Sequence, residues 1–279
     1  MKGAIVIQTD FGNGGGSAMR GTCKIVDPEL DIYEVNHTIT KFNIPQAARS
    51  LHGYVSYWPE GTVFVSVVDP GVGTSRKASV ALLNNGSYVV TPDNGSLTML
   101  LDNPGIKAIR VIDEKVNRLK GTENVSIFHG RDLFAYCGAK LAAGIIDFEG
   151  VGPEYPVSEI VRYKTQEASW SKLKVCGVST AMMVTFGNLE TSIPLSYMEK
   201  AGFKIGDMLK VTICHDEEVV YSDTIEYQIS FGYVDEGKAL IYNSSDGVVG
   251  IGINRGDFIR THGIGFGENW TVTIEKDGE

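Results

Sequence analysis

Two textures of apolar and polar positions divide the chain. In the first, short apolar runs alternate with longer amphipathic ones. "AIVIQTD", residues 4–10, is β-branched and closes on polar residues, which predicts a buried strand. "IPQAARSLHGYVSYW", residues 44–58, predicts a helix with Pro45 in its first turn, where the missing N–H costs nothing. "TVFVSVV" predicts another strand, and "ASVALL" and "SYVVTP" flank Asn84-Asn85-Gly86 as a hairpin. A helix is expected from about Gly95 to Leu101. In "RDLFAYCGAKLAAG" the residues Leu133, Phe134, Cys137 and Leu141 share one helical face, and Gly144 supplies the stop. Such alternation predicts an α/β domain with a mostly parallel sheet.

After about Val161 the pattern changes. "RYKTQEASWSK" is a polar connector, and beyond it come strand-like runs: "VCGVSTAMMVTF", "MLKVTIC", "EVVYSDTI", "KALIYN", "VVGIGIN" and "WTVTIE". No helix is expected there. Short strands between turn residues predict a smaller all-β domain, barrel-like or a sandwich. The boundary is placed at residue 168, giving an α/β domain over 1–168 and a β domain over 169–279.

The 279 residues suffice for two domains with real cores, and 43% hydrophobic with 21% charged residues is ordinary for a globular chain. A net charge of −9 argues against nucleic acid, which requires a basic stripe. Cys23, Cys137, Cys176 and Cys214 lie far apart, so neither a zinc knuckle nor a disulfide framework is expected. No apolar run approaches the length of a membrane span, and the apolar stretch after Gly3 is too short for a signal peptide. The expectation is a cytoplasmic protein with reduced thiols, a small-molecule substrate, no membrane and no metal.

Chemistry concentrates where strands end. Ligands of open α/β sheets sit beyond the carboxyl ends of the strands. Polar segments follow the predicted strands as "QTDFGNGGG", "DPGVGTSR" and "TPDNGS", and "SIFHGRD" precedes a helix. The segment "VSVVDPGVGTSRKA" has the glycines of a phosphate loop but no Gly-Lys-Ser/Thr, and it carries Asp69 at its entry and Arg76 at its exit. Taken alone, Asp69 before Pro70 reads as a turn initiator. His129 has an alternative reading as a helix-start residue bonded to backbone, and Asp132 reads as a helix cap rather than a reactant.

Taken in order, "TDFG", "VVDPGVGTSR", "TPDNG", "FHGRDLF", "FGNLETSI" and "GIGINRG" resemble the S-adenosylmethionine hydroxide adenosyltransferases, relatives of the fluorinase and chlorinase. The resemblance spans nearly the whole chain. It implies an α/β domain followed by a β-barrel domain, a homotrimer, and active sites shared between neighbouring subunits. It further implies an Asp-Arg-His set of Asp69, Arg76 and His129 that handles a nucleophilic water, with no cofactor. The halogenating branch carries Tyr at the loop entry, so Asp69 points to hydrolysis of S-adenosylmethionine to adenosine and methionine. Halide-dependent transfer and simple nucleoside binding are the alternatives.

By the same resemblance Asp10 holds the ribose hydroxyls, Phe186 and Asn188 take the adenine, and Phe42, Phe128, Ser245 and Asn254 line the substrate. Without it, Phe186 and Asn188 read equally as a core ring and a turn residue. Three departures fall at the amino-acid end: "NGGGSA" replaces a longer acidic loop, Met182-Met183-Val184 replaces an expected Asp, and Asp246 stands where an Arg is used by halogenases. Methionine recognition is therefore expected to be weak.

Overall fold

A computed structural model describes residues 3–12, 14–164, 167–183, 185–245 and 247–276, without the side chains of residues 181–183. It comprises two compact units, Met1–Tyr163 and Lys164–Glu279, each with its own core.

The first unit is built on a seven-stranded sheet. Its strands are β1 (Ile5–Thr9), β2 (Ile32–Asn36), β3 (Val63–Val67), β4 (Ala78–Leu83), β5 (Tyr88–Pro92), β6 (Ile106–Val111) and β7 (Glu154–Tyr155), ordered β2-β1-β3-β5-β4-β6-β7. The β2-β1-β3-β5 part is parallel throughout, while β4 and β7 run against their neighbours. The central parallel strands β1, β3 and β5 are covered on both faces, so their sequences are largely apolar. Ile5, Ile7, Val63 and Val65 face α1 (Ser17–Val26) and α4 (Tyr136–Ala142). Val6 and Phe64 face the opposite layer, with Leu51 and Val55 of α2 (Ile44–Val55). A short α3 (Glu114–Asn117) stands beside α4, which is entered through a π-helical segment, Gly130–Ala135.

Helix α2 carries Pro45 in its first turn and Asn43 as its cap, the Asn43 side chain accepting from the Gln46 N–H at 2.9 Å. The helix expected over 95–101 shrinks to a single 3-10 turn, Thr98–Leu101. Its would-be first turn is taken by Asn94, whose side chain accepts from Ser96 N–H and hydroxyl, while Gly95 holds φ +114°. Strands β2, β6 and β7 and helices α1 and α3 are additions to the expected elements. The three central residues of β2 are solvent-exposed, which erases the alternation a pattern search needs, and α1 has Gly16 at its cap position, with no side chain to cap it.

In the second unit eight strands form one sheet: β8 (Ser169–Ser171), β9 (Lys174–Met183), β10 (Asn188–Pro194), β11 (Met208–His215), β12 (Glu218–Gln228), β13 (Ala239–Asn243), β14 (Val248–Ile253) and β15 (Gly267–Glu275). Their order is β10-β14-β13-β12-β11-β15-β9-β8, and an added β9–β10 pairing closes seven of them into a barrel. Leu189, Ile193, Val211, Ile241, Ile251 and Val272 fill the core. The expectation of no helix here is corrected by α5 (Leu195–Ala201) and α6 (Phe258–His262). Both are too short to show a periodic stripe. The punctuation of α5 is nevertheless readable, since it starts after Pro194 and ends at Gly202 in the left-handed region.

Helix α4 lies close on β3 through Gly138, where a Cβ would stand 2.9 Å from a Val65 methyl. A Gly138→Val variant should therefore be destabilised by about 1–3 kcal/mol through overpacking, read as a lower denaturant midpoint with an unchanged slope.

Candidate active site

The sheet order reverses at β1: the chain passes from β1 to β2 on one side and then to β3 on the other. A crevice opens at such a point beyond the carboxyl ends of the two diverging strands. Asp10 follows β1 there, and Asp69 follows β3. The loop after β5 is tied to the same place, since Asn94 Nδ2 donates to the Val68 carbonyl at 2.9 Å.

Asp69, Arg76 and His129 are brought together by this arrangement. Arg76 Nη2 donates to Asp69 Oδ2 at 2.5 Å, and Nε reaches both carboxylate oxygens at 3.1 Å. The same Nη2 lies 3.0 Å from His129 Nδ1. All three side chains are largely buried, and the guanidinium also sits 5.2 Å over the Phe134 ring. The loop folds this tightly because Gly73, at φ +78°, lies against the Ser126 carbonyl, where a Cβ would stand at 2.9 Å.

The tautomer of His129 is set by its partner. Arginine only donates, so Nδ1 must carry a lone pair, and the neutral ring then bears its proton on Nε2. Burial lowers the His129 pKa below 6.5, and the cations of Arg76 and then Arg118 lower it further. His129 is thus a neutral hydrogen-bond donor through Nε2, not a proton acceptor through Nδ1. Arg118 had no sequence signal. Its buried guanidinium donates to the Thr122 and Val125 carbonyls and pairs with Glu114, which fixes the segment leading to His129.

Asp10 Oδ2 accepts from the Phe42 N–H at 2.9 Å, which joins two residues assigned separately from the sequence. Phe42 has φ +67° and is 67% exposed. Phe128 packs on Phe11 with ring centroids 5.9 Å apart, and Arg131 covers its ring at 4.7 Å. Asp132 is corrected: it is buried inside the π-helical turn and paired with Arg131 at 2.6 Å, while His129 holds the cap position.

On the barrel, Asn188 is buried, and its Oδ1 has no hydrogen-bond partner among the described residues. Such an orphan acceptor calls for a donor that the described residues do not supply. Phe186, two residues earlier, is 66% exposed, and Ser245 is exposed as well. The Asn254 amide is engaged within the protein, donating to the Val234 carbonyl at 2.8 Å. Phe231, which carried no sequence signal, leans over Gly252 beside Asn188.

Family models for the SAM hydroxide adenosyltransferase N-terminal and C-terminal domains match residues 5–152 and 185–271. The chain belongs to the SAM hydroxide adenosyltransferase family. Among family members, the (R)-S-adenosyl-L-methionine hydrolase of Methanocaldococcus jannaschii is 34% identical over 217 residues, 76% of this chain and 73% of the relative. A fluorinase of Actinoplanes is 29% identical over 282 residues, 91% of each. A crystal structure described as an uncharacterized conserved protein from Thermotoga maritima superposes with TM-score 0.82 at 30% identity, covering 98% of this chain and 100% of that one. Of the departures from the family pattern, Asn13, Val184, Asp246 and the side chains of Met182 and Met183 lie outside the described residues.

Because folded His129 titrates below 6.5, the unfolded chain binds the extra proton first. Its contribution to stability is full above that value and is lost as pH falls through the lowered folded pKa. In an Arg76→Met variant one of the two cations acting on the ring is gone, so the pKa should rise toward the ordinary range. Imidazole proton resonances followed by NMR across pH 4–8 check this, and an unchanged titration would show that Arg76 does not contact the ring.

Proposed function

We infer that this chain hydrolyses S-adenosylmethionine at C5′, giving adenosine and methionine. The observation that carries the reading is the buried contact of one guanidinium with both Asp69 and His129. A sulfonium leaves readily, so the reaction needs a water that is aligned, desolvated and partly deprotonated, and no metal or organic cofactor. The water oxygen bonds to C5′ as the C5′–S bond breaks, and the electron pair leaves on the thioether sulfur. One proton is released. His129 already bears its proton on Nε2 and commits Nδ1 to Arg76, so its part is to donate toward the water oxygen and fix its direction. Asp69 has carboxylate lone pairs beyond those bound by Arg76 and is the proton acceptor. Asp10 holds the ribose, while Phe186 and Asn188 take the adenine.

The fluorinase relatives support a second reading, transfer of the adenosyl group to halide. Asp69 at the loop entry favours water. The reading also includes a homotrimer in which one subunit supplies Asp69 and His129 and a neighbour supplies Phe186 and Asn188. A reducing, cytoplasmic setting suits four free thiols, and among the described residues no helix is long and apolar enough to cross a membrane.

Incubation with S-adenosylmethionine, with and without chloride or fluoride, separates the readings by chromatography. Adenosine formed without halide is expected, whereas a 5′-halogenated product would overturn hydrolysis and tight adenosine binding without turnover would leave a binding protein. Asp69→Ala and His129→Ala should each lower turnover by roughly 10²-fold or more with little change in adenosine affinity. Mixing Asp69→Ala with Asn188→Ala chains under subunit exchange should restore up to about a quarter of wild-type activity if sites are shared around a closed ring. No recovery despite proven exchange would place both halves of the site in one subunit.

A further inference from the structure

Of the three polar segments at strand ends, only "TPDNGS" after β5 has no part in the hydrolytic chemistry. It is fixed from several sides. Asp93 is 4% exposed and accepts from the Tyr155 hydroxyl at 3.0 Å and from the Val161 N–H at 2.9 Å. The Tyr155 hydroxyl also lies 2.9 Å from that of Ser79. The Thr98 hydroxyl accepts from the Tyr163 N–H at 3.1 Å and donates to the Gly95 carbonyl at 2.7 Å. Gly95, at φ +114°, lies so close to Tyr163 that a Cβ would stand 3.0 Å from its backbone nitrogen.

Asn94 links this fixed segment to the loop that carries Asp69. Its Oδ1 accepts from the Ser96 N–H at 3.3 Å and from the Ser96 hydroxyl at 2.8 Å. Those two bonds leave the Nδ2 side of the amide to donate to the Val68 carbonyl at 2.9 Å. Val68 is fully buried, one residue past the end of β3. Its carbonyl belongs to the planar peptide that places the Asp69 nitrogen and Cα. On the other side, Pro70 disfavours the helical conformation at Asp69, and the Asp69 carbonyl accepts from the Val72 N–H at 3.2 Å. Arg76 sets where the Asp69 carboxylate points, while the flanking peptides set where the residue stands.

We propose that Asn94 is a positioning residue for the hydrolysis: it holds the Val68–Asp69 peptide so that the Asp69 carboxylate stands where it can take the proton of the attacking water. This rests on the reading of Asp69 as the proton acceptor. Asn94 acts through Asp69 alone and touches neither water nor substrate. A displacement of about 1 Å at a reacting group can cost roughly 10²-fold in rate. A tie lost beside Asp69 therefore falls on turnover and not on nucleoside binding.

The test is a double-mutant cycle on the full-length protein, with Asn94→Asp, Asp69→Ala and the two combined. Adenosine release from S-adenosylmethionine is measured per folded protein. Asn94→Asp keeps an acceptor for Ser96 and removes the donor to Val68, so the turn survives while the tie is cut. Its kcat should fall by roughly tenfold to 10²-fold, with KM and the adenosine Kd little changed. In the Asp69→Ala background the same substitution should have almost no further effect, because the residue through which Asn94 acts is gone. Ser96→Ala, which loosens the amide without removing it, should give a smaller loss of the same kind. Should Asn94→Asp fail to fold, Ser96→Ala taken through the same cycle decides the question by the same criteria. Equal losses in both backgrounds would reveal a general structural role and overturn the proposal, as would a raised KM or adenosine Kd at unchanged kcat. Wild-type kcat in Asn94→Asp, in a protein that releases adenosine, would sink the proposal alone. No adenosine from the wild type would overturn the hydrolytic reading and the proposal with it.

Discussion

The first unit is organised around one guanidinium that must satisfy two neighbours at once. Arg76 neutralises Asp69 and fixes the tautomer of His129, and the three cannot be placed independently. A buried Asp without its Arg would be an uncompensated charge, and a His129 free of Arg76 could take its proton on either nitrogen. Much of the surrounding structure serves to bring these groups together. The reversal of strand order at β1 sets Asp10 beside Asp69, Gly73 lets the loop return Arg76 to Asp69, and Arg118 ties down the approach to His129.

The legibility of each feature in the sequence depends on how that feature is encoded. Strands β1, β3 and β5 are short, β-branched and buried on both faces, so their apolar runs and polar ends are plain, and with them the loops that carry Asp10, Asp69 and Asn94. The barrel is legible as a succession of strands, and its barrel form through the family resemblance. Which strands close it is not legible, because the β9–β10 pairing is a matter of register, which turn residues do not record.

Features that depend on a partner distant in the chain stay hidden. Asp10 and Phe42 each stand out, yet nothing in either segment shows that one accepts from the other across 32 positions. Glu190 sits inside "FGNLETSI", a string that marks the family, and its burial emerges only when Gly250 and Tyr242 are laid beside it. Asp132 shows the reverse error. An acid ahead of an amphipathic run is a sound cap signal, but the π-helical start advances the cap to His129 and turns Asp132 inward.

That π-helical start bears on how the protein can change over evolutionary time. A π segment accommodates one residue more than the α-helical path would, and removing it restores ordinary helix geometry. Each residue removed from a helix turns the part before it by about 100° relative to the part after it. Leu133, Phe134, Cys137 and Leu141 are locked into the core on the far side of the segment, so the rotation would fall on His129. Divergence here can exchange side chains but is barred from changing length. The segment Gly130–Ala135 acts as a ruler whose unit is a single residue.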